Sequence, residues 1–318
     1  MEYTDKITSL DDYILPQSAL KSNSVDYTIK KAEKIKRKTK NISKAIALKY
    51  KSVDRHHKAE DIKNCGSFLM FKEHKDIDRT TFLHKANFCK HPVCPLCAWR
   101  KSLRDFGILE TAIKLIKKDF PRANIYHLVL AVPNVTEIQK ADLSELKRKA
   151  VYFIKNYIGT ENYYTSLEIT YSADTGFHPH LHCLLATEEF IKVSEDYIYN
   201  MAMDWKKVYN KSDSKYRSYT FYITGLKGEK GLHEMTKYIL KVQKLEELEG
   251  CILQTNFIFE MKGVRKNSSG GLFKEYLPKA KKLIKQDFEQ TKFKMANIDY
   301  IYRIFEYIQS AEKYTEKS

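Results

Sequence analysis

A chain of 318 residues with 43% hydrophobic and 13% aromatic content can bury one large core or two ordinary ones, which excludes a globally disordered protein. Its 56 lysines and arginines against 40 aspartates and glutamates leave a net charge of +16, the balance of a protein that meets a polyanion, and its 22 tyrosines offer flat rings on which bases can stack. No run of about 18 apolar residues occurs and the start, M-E-Y-T-D-K, is polar and acidic, so neither a membrane span nor a signal peptide is expected and the location is read as cytoplasmic.

Residues 1–60 read as a basic N-terminal arm. Within it Lys30 to Lys40 is a dense cationic run with enough Ala, Glu and Ile to form a helix or to remain a solvated arm. Residues 61–100 then hold four of the six cysteines. Cys94-Pro95-Leu96-Cys97 is a C-x-x-C knuckle, with Cys89 just before it and Cys65 further upstream across the strand-like run Gly66 to Met70. In a reducing compartment such cysteines are metal ligands or buried thiols rather than disulfides. Four thiolates close a tetrahedron around Zn²⁺ without leaving a place for water, so Cys65, Cys89, Cys94 and Cys97 read as a structural zinc site. The competing readings are a redox C-x-x-C and a ligand set in which His84 or His91 replaces one cysteine.

A helix follows from Trp99, with Leu103, Phe106, Leu109, Ile113 and Ile116 at helical spacing. Its basic face begins with Arg100 and Lys101, which are candidate DNA contacts, although a charged face is commonly only solvated. Ile125 to Val132 is a buried strand stopped by Pro133, and Glu137 to Tyr157 is an amphipathic helix.

The central motif is a hairpin. Strand 163–171 carries L-E-I-T-Y, and strand 179–186 carries H-L-H-C-L-L behind His178 and Pro179. Alternation along a strand turns His178, His180 and His182 to one face and Leu181 and Cys183 to the other. With Asp174, Thr175 and Gly176 as the loop, Glu168 falls opposite His182 and Thr170 opposite His180, where facing Cβ atoms lie roughly 4.5 to 5.5 Å apart. Two neutral imidazoles and a carboxylate then converge on one divalent ion, Mg²⁺ or Mn²⁺. Pro179 cannot donate to a ladder, so regular pairing is expected to begin at His180. The alternative is a set of hydrogen-bonded surface histidines.

A helix from about Glu195 to Tyr209 and a strand from Ser218 to Thr224 come next. Lys230 to Lys241 has helical spacing, with Leu232, Met235, Ile239 and Val242 inward, which stacks Glu234 and Tyr238 one turn apart and flanks the phenol with Lys237 and Lys241. A tyrosine beside a divalent ion can serve as the nucleophile of phosphoryl transfer, and a nearby glutamate can direct water or take a proton in a second event. Phe273 to Lys285 and Asn297 to Ile308 are both read as helices. Together these elements make an α+β protein: a central antiparallel sheet covered by helices, a small N-terminal zinc-binding module and a helical C-terminal region. The expected divisions are 1–60, 61–100, a catalytic domain at 101–245, and 246–318, which either binds origin DNA or packs on the catalytic domain.

The order of the cysteine cluster and W-R, then L-E-I-T-Y, H-P-H-L-H-C-L-L and E-M-T-K-Y, resembles the rolling-circle replication initiators (Rep proteins) of small Gram-positive plasmids, within the HUH endonucleases. The resemblance runs from about Cys65 to Lys241. It implies that His180 and His182 are the paired metal ligands, Glu168 the carboxylate on the preceding strand, and Tyr238 the nicking tyrosine. It also implies that Glu234 directs water at the end of a replication round. Such enzymes nick one strand at the plasmid's double-strand origin, remain joined to the 5′ end, act on single-stranded DNA, and recruit a host helicase and DNA polymerase. The two-histidine motif does not require His178. The other readings are a transposase or relaxase of the same superfamily, a zinc-ribbon DNA-binding protein without activity, and a metal hydrolase that uses activated water alone.

Overall fold

A computed structural model describes residues 25–26, 28–37, 45, 56–74, 81–91, 94–209, 219–226, 232, 240–242, 264–294 and 300–317. In chain order the named elements begin with α1 (His56–Asn64), β1 (Phe68–His74), β2 (Thr81–Ala86), α2 (Pro95–Asp119) and β3 (Asn124–Ala131). Next come α3 (Lys140–Phe153), ending in a wider helical turn at Ile154–Ile158, then β4 (Tyr163–Ser172), β5 (Gly176–Thr187) and α4 (Glu195–Tyr209). The chain continues with β6 (Thr220–Gly225), β7 (Leu240–Val242), β8 (Asn267–Ser269), α5 (Gly271–Lys294), β9 (Tyr300–Ile308) and β10 (Lys313–Lys317).

The larger sheet runs β6-β3-β5-β4-β7, with β8 also on the outer side of β4. Its pairs are antiparallel except for β4 with β7, which is parallel. β5 is therefore central and covered on both faces, which is why its sequence after the first residues is an almost unbroken apolar run apart from the histidines.

Alternation divides the sheet into two surfaces. One turns Leu128, Leu130, Leu167, Ile169, Leu181, Cys183 and Leu185 against Leu143, Leu146, Ala150 and Phe153 of α3 and Met201 and Trp205 of α4. Trp205 is fully buried there, and its indole N–H donates to the Ala131 carbonyl at 2.9 Å, so the ring's one polar atom is satisfied. The opposite surface packs Ile125, Tyr164, Leu184 and Ala186 against Phe106, Leu109, Ala112 and Ile116 of α2 and Phe273, Tyr276 and Ala280 of α5. The same surface continues along β4 and β5 into Glu168, His180 and His182.

Two sequence expectations are corrected by the described strands. Asn297 to Ile308 does not form a helix, because Tyr300–Ile308 is β9, paired along its length with β1. The apolar residues satisfy helical and strand spacing alike. What decides between them is the pairing, which buries Phe305 and Tyr307 with Leu69 and Phe71. β9 also pairs with β10, giving a second sheet of order β10-β9-β1-β2 in which the C-terminal strands complete the cysteine-bearing segment. Likewise the helix read from Lys230 does not extend through Lys241 to Val242. Leu240–Val242 lies in the ladder beside Ile169, Thr170 and Tyr171 of β4. The strand read at 251–262 lies outside the described residues.

Candidate metal centre and nucleic-acid interface

The histidine hairpin forms as read, but its register differs by two residues. Ser172 pairs with Gly176, which leaves Ala173, Asp174 and Thr175 as the loop, so Glu168 faces His180 and Thr170 faces His178. A shift of two keeps every side chain on its own face, and the convergence of Glu168, His180 and His182 survives. Gly176 is held at φ +76 against the Val135 backbone, where a Cβ would lie 2.4 Å from the Val135 carbonyl oxygen. The expectation that pairing begins at His180 is also corrected, since the ladder with β4 already includes Phe177, His178 and Pro179. Pro179 is tolerated in a central strand because its carbonyl accepts from Val132, just past the end of β3. Its missing N–H therefore faces the same short edge and takes no bond away from β4.

Glu168, His180 and His182 are all buried, and one atom from each lies within 4.8 Å of the others. The Glu168 Oε2 atom is 3.0 Å from His182 Nε2 and 3.6 Å from His180 Nε2. Burial by itself would raise the Glu168 carboxyl, but hydrogen bonds and charge from the two imidazoles overcome it and hold the group well below the usual carboxylate range. A buried carboxylate with two imidazole nitrogens is a donor set that can hold a divalent metal ion. His180 Nδ1 is 3.2 Å from the His178 carbonyl, which can only accept, so this contact favours a proton on Nδ1 and, in the neutral ring, leaves the Nε2 lone pair for an ion. His178 has a separate partner, Asn134 Oδ1 at 2.7 Å. Burial, then the neighbouring His180, lowers its pKa.

Sequence reasoning missed two residues around this centre. His127, on β3, places Nε2 3.0 Å from His182 Nδ1, with the two rings stacked at 5.2 Å. Lys266 precedes β8, and its carbonyl accepts from Leu167 N–H at 2.9 Å. Burial, then the Lys101 charge, lowers its ammonium to about 8 against the opposing pull of Asp105 and Glu168, which puts a cation within the field of the site. Neither residue belongs to a local motif. His127 lies in an apolar strand and Lys266 in a basic loop, so only the paired strands reveal them.

The four cysteines come together as read. Cys65 Sγ lies 3.5 Å from both Cys94 Sγ and Cys97 Sγ, and Cys89 Sγ lies 3.7 Å from Cys97 Sγ. A zinc tetrahedron with Zn–S of about 2.3 Å has sulfur–sulfur edges of roughly 3.8 Å, so the residues fit that ion. Two backbone N–H groups aim at the sulfurs, Cys89 N at Cys65 Sγ (3.4 Å) and Lys90 N at Cys97 Sγ (3.2 Å), as thiolates require. Cys94 caps the N-terminus of α2, with Pro95 in its first turn, which joins the cluster rigidly to a long helix. His84 is not part of the set and instead packs against Tyr302. Within the N-terminal helical residues 28–37, Lys36 is buried and donates to the carbonyls of Lys63 (3.1 Å) and Cys65. Burial lowers its pKa, while the charges of Cys65, Cys94 and Cys89 oppose that shift. Lys36 thus supplies a positive charge beside four sulfurs that would carry a net negative one with zinc bound.

Of the candidate DNA contacts, Arg100 stacks over the Phe88 ring at 3.8 Å and Lys101 pairs with Asp105. Tyr238, Glu234 and Lys237 lie outside the described residues, and of Lys241 only the backbone position in β7 is described.

A model of the replication-protein family, Rep_1, matches residues 80–315. The chain belongs to the replication-protein family. That span includes the histidine hairpin, three of the four clustered cysteines, all of β9 and the start of β10. A Protein rep of Lactiplantibacillus plantarum is 26% identical to this replication protein over 278 residues, covering 80% of this chain and 81% of that one. Protein rep of Staphylococcus aureus is 33% identical over 155 residues, 45% of this chain and 64% of that one. Protein rep of Bacillus amyloliquefaciens is 35% identical over 134 residues, 40% of this chain and 39% of that one. No solved structure matches this replication protein. Among the described residues, no helix is long and apolar enough to cross a membrane.

Proposed function

We propose that this replication protein starts plasmid rolling-circle replication by nicking one strand at the double-strand origin through tyrosine transesterification. The observation that carries this reading is the buried Glu168, His180 and His182 set on the β4–β5 hairpin, in a chain of the replication-protein family. A divalent ion there, Mg²⁺ or Mn²⁺, would neutralise the nonbridging oxygens of the scissile phosphate. The protein's own part is to fix the two imidazoles and the carboxylate on adjacent strands, so that no ligand has to be ordered when DNA arrives.

Tyr238 is the nucleophile in this reading. Its phenol oxygen loses its proton and bonds to phosphorus, the bond from phosphorus to the 3′ oxygen breaks, and that oxygen takes up a proton to leave as a 3′-hydroxyl. The protein is left joined to the 5′ phosphate. Support comes from β7, because Leu240–Val242 pairs with Ile169–Tyr171 on the strand that carries Glu168. Glu234 would direct water at the end of a round. Zinc on Cys65, Cys89, Cys94 and Cys97 would fix the start of α2, and the net charge of +16 favours origin and single-stranded DNA as partners. A host helicase and DNA polymerase complete the set. Membership of the replication-protein family favours this reading over transposition.

The decisive test incubates the protein with supercoiled DNA carrying the origin and Mg²⁺ or Mn²⁺, then denatures with detergent. The expected product is a nicked circle with protein on its 5′ end that Tyr238→Phe abolishes. Nicking by the Tyr238→Phe variant at the wild-type rate overturns the assignment.

A further inference from the structure

The two histidines of the metal centre are oriented by different kinds of group. His180 Nδ1 meets a backbone carbonyl, which accepts and never donates, so its tautomer is favoured by the chain. His182 Nδ1 meets His127 Nε2 at 3.0 Å, and an imidazole nitrogen can play either part. If the ring of His182 gives its Nε2 lone pair to an ion, its proton has to sit on Nδ1 and be donated to His127 Nε2. His127 must then hold its own proton on Nδ1. With the opposite arrangement, His182 Nε2–H donates to Glu168 and offers no lone pair to an ion.

We propose that His127 is a positioning residue that sets His182 in its metal-binding tautomer, a role that rests on the metal centre described above. The geometry supports this in three ways. His127 is buried, so water does not compete for the contact. Its ring stacks on that of His182 with an interplanar angle of 19°, which restrains rotation of both. The two side chains come from neighbouring strands in a fixed register, with Val129 facing His182 and His127 facing Leu184, so the approach is a diagonal one on the same face of the sheet. His127 is not a member of the ligand set Glu168, His180 and His182, and it meets that set at His182 Nδ1.

The test compares Mn²⁺ binding by the full chain and its variants, read from the loss of the free-ion EPR signal. His127→Phe keeps a ring of similar size but removes the acceptor, and His127→Gln returns an acceptor at the reach of Nε2. The expected outcome is affinity about 10- to 100-fold weaker in His127→Phe, the range seen when an outer-shell partner of a ligating histidine is removed, with substantial recovery in His127→Gln. Nicking by His127→Phe should recover at saturating Mn²⁺, which separates metal affinity from turnover.

Wild-type affinity in a folded His127→Phe variant, alongside loss of binding in His182→Ala, overturns the positioning role and leaves the metal centre standing. Failure of the wild-type chain to bind Mn²⁺ overturns both. Should His127→Phe not fold, ¹⁵N-histidine NMR of the metal-free wild-type chain decides. A proton on His182 Nδ1 supports the role, and a proton on Nε2 refutes it.

Discussion

Glu168 Oε2 lies 3.0 Å from His182 Nε2, although the residue that faces Glu168 across the ladder is His180. The carboxylate reaches diagonally and leaves the directly opposed imidazole slightly further away, at 3.6 Å. One oxygen is therefore the meeting point of both rings. Binding of an ion needs only a modest opening of that contact, since the ligands already share a face and a register.

Glu168→Gln is expected to keep the side chain's shape and lose its charge. Mn²⁺ affinity should fall by at least about tenfold while the circular dichroism spectrum is unchanged, since a carboxylate rather than an amide suits a hard cation. Titration followed by EPR measures this, and unchanged affinity would remove Glu168 from the ligand set.

Elemental analysis of the purified protein is expected to find zinc, and Cys94→Ser should abolish that zinc and lower the melting temperature, because the cluster ties α1, β2 and α2 together. Lys36→Met should retain zinc but surrender it faster to a chelator. That substitution leaves two carbonyls without their ammonium donor, at a cost of about 1–3 kcal/mol each if buried. Identical chelator kinetics in Lys36→Met would show that the ammonium is not needed for charge balance.

Lys266 titrates at about 8 in the folded protein, below its ordinary value of 10.5. A base with a depressed folded pKa carries its full penalty below about pH 8, and the penalty is relieved as pH rises from there towards the unfolded value. Lys266→Met removes the penalty at every pH. Its melting temperature should exceed that of the wild type most at pH 7, with the difference shrinking as the solution is made alkaline. A difference independent of pH would show that the gain comes from packing alone.

Gly176→Ala is expected to destabilise the hairpin, since alanine at φ +76 is strained and its Cβ meets the Val135 carbonyl. A cost of about 1–3 kcal/mol follows from backbone strain alone. Because β5 begins at this residue, Mn²⁺ affinity should fall with stability. Urea melts and Mn²⁺ titration of the same sample would reveal any uncoupling.

Glu234→Ala should leave the first nick intact and impair the event that ends replication, so that protein-linked DNA accumulates while released circles decline. Loss of the first nick, with metal binding preserved, would move Glu234 into the initial chemistry.

The hairpin was legible because alternation and a glycine turn are local signals, and an error of two residues in the loop leaves the face of each side chain unchanged. The cysteine set was legible because ligand chemistry restricts spacing. The segment Asn297 to Ile308 was misread because its apolar residues fit two periods. β1, more than 220 residues earlier in the chain, selects the strand.

His127, Lys36 and Lys266 carry no local mark at all. Their roles exist only because β3 lies against β5, residues 28–37 pack beside the cysteines, and the segment before β8 bonds to β4. The amino-acid order alone determined which groups could bind metal and which face of each strand they occupy, since side-chain chemistry and backbone alternation are properties of neighbours in the chain. Tertiary pairing alone decided the hairpin register, the identity of the C-terminal strands and the partners that set each imidazole and buried charge, because these depend on contacts between residues far apart in sequence.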